Sequence, residues 1–220
     1  MGYCLKNVDA FVHFWNKNGK PKYSREWLME KNTNEMDFVF FWQAGDISYK
    51  PYCCFSQWQY SEFREEELAS IQNLTCAEQY MMASKAWIFG DEETKQEILE
   101  ACEPKQMKSL GRKVRNFDLE IWEKTRHSIV LNGNYHKFAQ NKAMRDILLG
   151  TGDKILAEAS PTDTIWGIGL GENNSKATGP SSWRGLNLLG FALMEVRDEI
   201  RRVYQNYGKV DWTQFESQRE

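Results

Sequence analysis

Histidine is scarce in this chain, and metal-ligand spacing is missing altogether. The 220 residues hold three histidines, His13, His127 and His136. None completes the short spacing that a zinc site needs, so no metal is expected. The five cysteines, Cys4, Cys53, Cys54, Cys76 and Cys102, form no C-x-x-C pair. An odd number also fits poorly with a disulfide framework. No apolar run approaches the ~18 residues of a membrane span. The opening MGYCLKNVDAF lacks a signal-peptide core, and Lys6 stands where a myristoylation motif needs Ser or Thr. A cytoplasmic location with no membrane partner is the expectation. Nucleotide-fold signatures are absent as well. The glycines of WGIGLGENN do not keep the G-x-G-x-x-G spacing, no βαβ pattern surrounds them, and no Walker lysine follows, so no cofactor is expected. A formal net charge of −3 provides no global positive field for nucleic acid. Internal repeats and low-complexity linkers are missing too.

What is present is a core. With 41% hydrophobic and 14% aromatic residues, the chain can bury one substantial interior, and residues 1–220 read as one compact domain. MDFVFFW (36–42) is dense in aromatic and β-branched residues and predicts a buried strand, with a second possible at YCCFSQWQY (52–60) and another at KILAEA (154–159). Helices dominate the rest. Thr75 followed by Glu78 has the spacing of a capping box for a helix running to about Phe89. Asp91 predicts the N-cap of a helix over 92–102, and Asp118 that of a helix with Ile121, Trp122, Thr125, Ile129 and Val130 inward. Asn141 is placed to cap KAMRDILL, which Gly150 would stop in a left-handed conformation. The last helix carries a core-packing face of Leu186, Leu189, Leu193, Val196, Ile200 and Tyr204. The strands are too few for a doubly wound sheet, so the prediction is a helix-rich α+β fold with a small β-sheet.

Three stretches carry candidate chemistry. In LTCAEQYMMASKAWIF, residues Glu78, Met81, Met82, Lys85 and Phe89 fall at helical offsets and make one stripe that mixes apolar side chains with charge. Lys85 lies about 10 Å along the axis from Glu78 at ~1.5 Å per residue and leans back toward it, so the two could share a pocket or form a surface ion pair. PKQMKSLGRKVRNF (104–117) carries Lys105, Lys108, Arg112, Lys113 and Arg115 with no acid until Asp118. Such a run suits phosphates or is a solvated basic face. The glycine-rich loop from Gly167 to Gly185, Gly169 included, would let a ligand approach the backbone. It follows Asp163 and Trp166 and precedes Asn187 at a helix start, where free N–H groups favour anions. Asp163 also reads as a turn residue and Trp166 as a structural plug, or as a stacking surface for a base or ribose.

CFSQW, AEQYMMASKAWIFGD, LGRKV, KFAQN, LLGTGDKILAEASPTDTIWGIGL and GLNLLGFALMEVRDEI occur in this order. Together they resemble the YbiA-like or NADAR family across about two-thirds of the chain, from about 54 to 200. Residues 1–35 are unmatched, and about 206–220 form a C-terminal tail. The resemblance implies an enzyme that cuts a bond from ribose C1 to nitrogen. The family includes N-glycosidases of riboflavin-pathway phosphoribosylamino pyrimidines and hydrolases that remove ADP-ribose from guanine in nucleic acid. It implies as partners ADP-ribose or a phosphoribosyl compound and ADP-ribosylated DNA or RNA. A non-catalytic ADP-ribose binding module is the reading from another class. Glu78 and Lys85 match the family block, with Glu78 or Asp163 as the carboxylate at C1 and Lys85 as a nucleophile for a ring-opened sugar. Arg112 is expected on phosphate, and Phe55, Ser56, Trp122, Trp166, Gly169 and Asn187 around base and ribose. The usual Ser-Asn-Phe appears here as Ser56, Gln57 and Trp58, and the loop EFREEELASIQN is acidic. Both departures bear on substrate choice.

Overall fold

The computed structural model describes residues 21–207 apart from 32, 35, 36, 70 and 71. The unmatched segment up to residue 20, with Cys4 and His13, lies outside the described residues. So do Met36 of the first predicted strand and the tail from residue 208. Among the described residues the chain runs α1 (Arg25–Met29), β1 (Phe38–Phe41), a 3-10 turn (Pro51–Phe55), α2 (Ala77–Ile88), α3 (Glu92–Glu100), α4 (Pro104–Gly111), α5 (Leu119–Gln140), α6 (Lys142–Gly150), β2 (Ile155–Glu158), a 3-10 turn (Pro180–Ser182) and α7 (Leu188–Tyr207). The helix-rich α+β prediction with a small sheet is borne out.

β1 and β2 pair in parallel, with Phe38 opposite Ile155 and Phe41 opposite Glu158. Parallel strands need a crossover, and α2 to α6 supply it. α2 sits at the centre, against α3, α4 and α5, while α7 covers β2 and packs on α5. The other edge of β2 is closed by a side chain. Asn187 is fully buried, accepts from the Glu158 N–H at 3.0 Å and donates to the Leu156 carbonyl at 2.9 Å. Its amide thus supplies the bonds that a third strand would make.

Several local expectations change. YCCFSQWQY is not a strand. Pro51 fixes φ and lacks an N–H, and the Cys53 N–H to Lys50 and Ser56 N–H to Cys53 bonds close a tight turn instead. Asp91 and Asp118 cap as predicted, accepting from the N–H groups of Thr94 and Ile121. The expected capping box does not form, and Cys76 at the N-cap makes no side-chain cap bond. The N-cap of α2 is Cys76, and Gln79, not Glu78, accepts from the Thr75 N–H at 2.8 Å. Asn141 precedes α6 without a side-chain cap, because its amide donates to the Glu62 and Lys137 carbonyls. Gly150 still belongs to α6, and the left-handed residue is Gly152, at φ 58°. PKQMKSLG, the first part of the basic run, is a helix. On α7 the residues Leu189, Leu193, Val196 and Ile200 are buried, whereas Leu186 precedes the helix and Tyr204 lies toward its exposed end, and both are exposed.

Candidate functional site

Three carboxylates converge at the carboxyl end of β2. Glu78 enters from the first turn of α2, Glu158 ends β2, and Asp163 follows in the next loop. Glu78 is 3% exposed and its Oε1 has no hydrogen-bond partner among the described residues. The Glu158 Oε2 is equally shielded and also unpartnered. Burial pushes Glu78 up to about 7, opposed by the Lys108 ammonium, the Trp58 side chain and Arg112, and reinforced by Asp163. Burial pushes Glu158 up to about 8, with Asp163 and Glu78 adding to the rise and Lys108 opposing it. The mutual fields mean that the three groups act on one small volume.

The local frame explains how these groups are held. The Glu78 N–H donates to the Gln57 carbonyl at 3.0 Å, which ties the SQW segment to the start of α2. Ser56 shapes that segment, its hydroxyl accepting from the Trp58 N–H at 3.2 Å. α5 fixes it from behind. The fully buried Lys137 donates to the Ser56 carbonyl at 2.8 Å, and Asn134 donates to the Gln57 side chain at 3.0 Å. Burial lowers Lys137 to about 8. Asp163 is a turn residue, as its type allows, with Oδ1 accepting from the N–H groups of Ile165 and Trp166 at 2.9 and 2.8 Å.

Lys85 does not pair with Glu78. Its Nζ donates to the Gly111 carbonyl at 2.7 Å and lies 4.2 Å from the Phe117 ring centroid and 5.5 Å from that of Trp122. Gly111 closes α4, and the last carbonyls of a helix have no partner within it, so the ammonium is drawn there. A Cβ at Gly111 would lie 2.0 Å from the Met82 Sδ, so only glycine lets the end of α4 sit this close to α2. Burial alone lowers the Lys85 pKa.

The basic run divides. Arg115 forms a salt bridge with Asp91, reaches Glu93 at 3.0 Å, and is thereby removed from the phosphate-binding set. Lys105 and Lys108 on α4 and Arg112 at its C-cap remain, at helical spacing. Lys108 Nζ lies 5.8 Å from the Trp58 ring centroid.

Of the candidate residues expected from sequence, Glu78, Asp163 and Arg112 come together, and Lys85 with Trp122 forms a neighbouring group across the end of α4. Trp166 is partly buried against the core. Phe55 is fully buried between Phe41, Tyr52 and Phe138 and is core, not pocket wall. Gly169 adopts φ 69°, and a Cβ there would meet Arg184 at 2.8 Å, so this glycine lets the loop fold on itself and not on a ligand. The N–H groups at the start of α7 are not open to an anion. Those of Leu188 and Leu189 donate to the carbonyls of Ile165 and Trp166. Glu158 and Trp58 join the site without having been assigned to it by sequence pattern, and Lys108 comes to it from the basic run. The available signal is a carboxylate ending a buried strand, the place where α/β folds bind ligands.

Among the described residues, no group of three or more His, Cys, Asp or Glu residues is arranged to hold a metal, and no helix is long and apolar enough to cross a membrane. Cys53, Cys54, Cys76 and Cys102 are free thiols.

This arrangement has known relatives. The chain is 42% identical over 169 residues to N-glycosidase R617 of Acanthamoeba polyphaga mimivirus, spanning 75% of this chain and 98% of that protein. It is 35% identical over 175 residues to Protein irg-1 of Caenorhabditis elegans, spanning 74% and 79%. The NMR structure of the Escherichia coli protein YbiA superposes with a TM-score of 0.60 at 22% identity, over 79% of this chain and 90% of that one, which establishes a shared fold. The NADAR domain matches residues 40–201, a span that holds Glu78, Lys108, Arg112, Glu158 and Asp163 alike. The chain with this carboxylate cluster therefore belongs to the NADAR domain family.

Proposed function

We propose that this protein is an N-glycosidase, a hydrolase that cuts the bond between ribose C1 and a nitrogen. The observation that carries the reading is a pair of buried carboxyl groups, Glu78 and Glu158, each with an unpartnered oxygen and each raised into the neutral range beside Asp163. Groups poised near the working pH are suited to move protons in a transition state. Glu158 is the acid: its proton goes to the departing nitrogen, which also takes the electron pair of the C1–N bond. Water adds its oxygen to C1 and gives a proton to the Glu78 carboxylate. Asp163 stabilises the positive charge that develops on the ribose. Exchange with solvent then restores both glutamates. The names of the relatives support this class of reaction.

The substrate we infer is ADP-ribose attached to guanine in nucleic acid. It is supported by Lys105 and Lys108 on α4 with Arg112 at its C-cap, more cations than one phosphate needs. A second reading, a phosphoribosylamino pyrimidine of riboflavin biosynthesis, is favoured if Lys108 and Arg112, the two that act on Glu78, do all the phosphate binding. Incubating the protein with guanine-ADP-ribosylated DNA and, separately, with the pyrimidine tests both. Release of ADP-ribose supports the first, release of ribose 5-phosphate the second, and release of neither would leave only a binding module.

A covalent route through Lys85 draws on one observation, the burial that lowers its pKa and favours the neutral amine. Borohydride added during turnover should trap a Lys85 adduct on that route, and Lys85→Arg should abolish turnover. With attack by water, no adduct forms.

A further inference from the structure

We propose that the cavity at the carboxyl end of β1 holds the heterocyclic base that departs when the glycosidic bond is cut. This rests on the N-glycosidase reading of the carboxylate cluster and adds to it the place of the leaving group. The cavity has a volume of about 760 Å³, and Phe41, Trp42, Gln43, Tyr52, Ala159 and Asn173 are among the residues that line it. That volume is in the range of small-ligand sites.

Position favours the leaving group over the ribose. Ala159 follows Glu158 in the chain, and Phe41 is the register partner of Glu158 across the sheet, so the cavity adjoins the strand end that carries the proposed acid. Partners in register point to the same face. Phe41 and Tyr52 line the cavity, and the buried Phe55 behind them meets Phe41 edge-on at 5.4 Å and stacks on Tyr52 at 5.7 Å and 22°, which fixes both rings. The cations that act on Glu78 are Lys108 and Arg112, whereas the lining of this cavity carries one charge of each sign, Lys50 and Glu172, and so has no net charge to draw a phosphate.

The lining has the chemistry that a base requires. Trp42 is 41% exposed and its ring meets no other ring among the described residues, so one face is available for stacking. The side-chain amides of Gln43 and Asn173 are exposed and make no hydrogen bond among the described residues. Each offers the paired donor and acceptor that a base edge reads. At Gly171 a Cβ would meet nothing within 4 Å, so the wall is open on that side to whatever the base is attached to.

Calorimetry of the full chain with dGMP, and in parallel with the free diaminopyrimidine base, tests the assignment without requiring turnover. The wild type should bind one of the two. Trp42→Ala should weaken that binding by roughly tenfold or more, the usual loss of a base-stacking aromatic. Tyr49→Ala, an exposed aromatic outside the cavity, should leave it unchanged. Binding of dGMP assigns the base of a nucleic acid, and binding of the diaminopyrimidine assigns the small metabolite. Equal affinity in wild type and Trp42→Ala, or no binding of either base by the wild type, would overturn the proposal. Failure of the enzyme reading is distinct: there, a base binds and Trp42→Ala weakens it, yet no N-glycoside is hydrolysed.

Discussion

Two buried clusters of charge lie on opposite ends of α2, and they treat their carboxylates in opposite ways. Beyond the C-terminus of α2, every oxygen of Asp91 is used. It caps α3 through the Thr94 N–H and accepts from the Arg115 backbone and guanidinium. Those bonds, the Arg115 guanidinium first, hold its carboxyl well below the usual range. At the N-terminus of α2, Glu78 and Glu158 each have a shielded oxygen without a partner, and both groups are pushed up. Asp91 and Glu78 are almost equally shielded from solvent. What differs is compensation, and an uncompensated pair is costly unless it does chemistry.

The largest effect should come from removing the acid. Glu158→Gln retains size and hydrogen-bonding capacity but cannot release a proton, so turnover should fall by roughly 10²-fold or more while the fold persists. Steady-state rates and melting on one preparation decide it. Normal turnover by the glutamine variant would leave Glu158 no role beyond ending β2. Glu78→Gln should also lower turnover and, because Glu78 makes no capping bond, should leave the start of α2 intact.

Asp91→Ala should do the reverse. It removes a helix cap worth about 1 kcal/mol and charge-assisted bonds worth about 1.5–3 kcal/mol, so a stability loss of ~2–4 kcal/mol is expected. Turnover per folded molecule should stay within about twofold of the wild type, if the two ends are as separate as their bonding suggests. Urea titration followed by rate measurement below the midpoint checks both parts. A loss of turnover in fully folded protein would couple the two ends through α2.

Much of the asymmetry is legible in the sequence where it is local. Asp91 and Asp118 declare themselves as caps because a cap depends on the three residues that follow it. The start of α2 is legible only to within one residue, because Thr75 and Cys76 both precede a residue able to reach back, and no capping box forms to select between them, while the Glu78 N–H is tied to the Gln57 carbonyl. Spacing alone draws Lys85 toward Glu78. The α4 carbonyl that captures it belongs to a helix hidden behind Pro104 and a run of cations. Glu158 looks like no more than the end of a strand because its neighbours come from α2, from α4 and from the loop after β2, and convergence over such separations leaves no periodic trace in the sequence. Family resemblance supplies the reaction class, which spacing cannot.

The smallest effect is also the one that separates the two ends by sign. The folded pKa of Asp91 lies below its ordinary value, so its contribution is present above that value and is lost as pH falls. Glu78 and Glu158 lie above their ordinary value of 4.5. Their neutral forms fit the fold, so the contribution is present below 4.5 and is lost as pH rises through about 7 for Glu78 and about 8 for Glu158. Stability should therefore decline between about pH 5 and about pH 9, and glutamine, which never ionises, should remove part of that decline. Glu158→Gln should match the wild type at about pH 5 and be the more stable of the two at about pH 9. Chemical unfolding at the two pH values measures it. Equal stabilities at the higher pH would mean that Glu158 ionises in the fold as easily as in the unfolded chain, and the acid would then have to be Glu78.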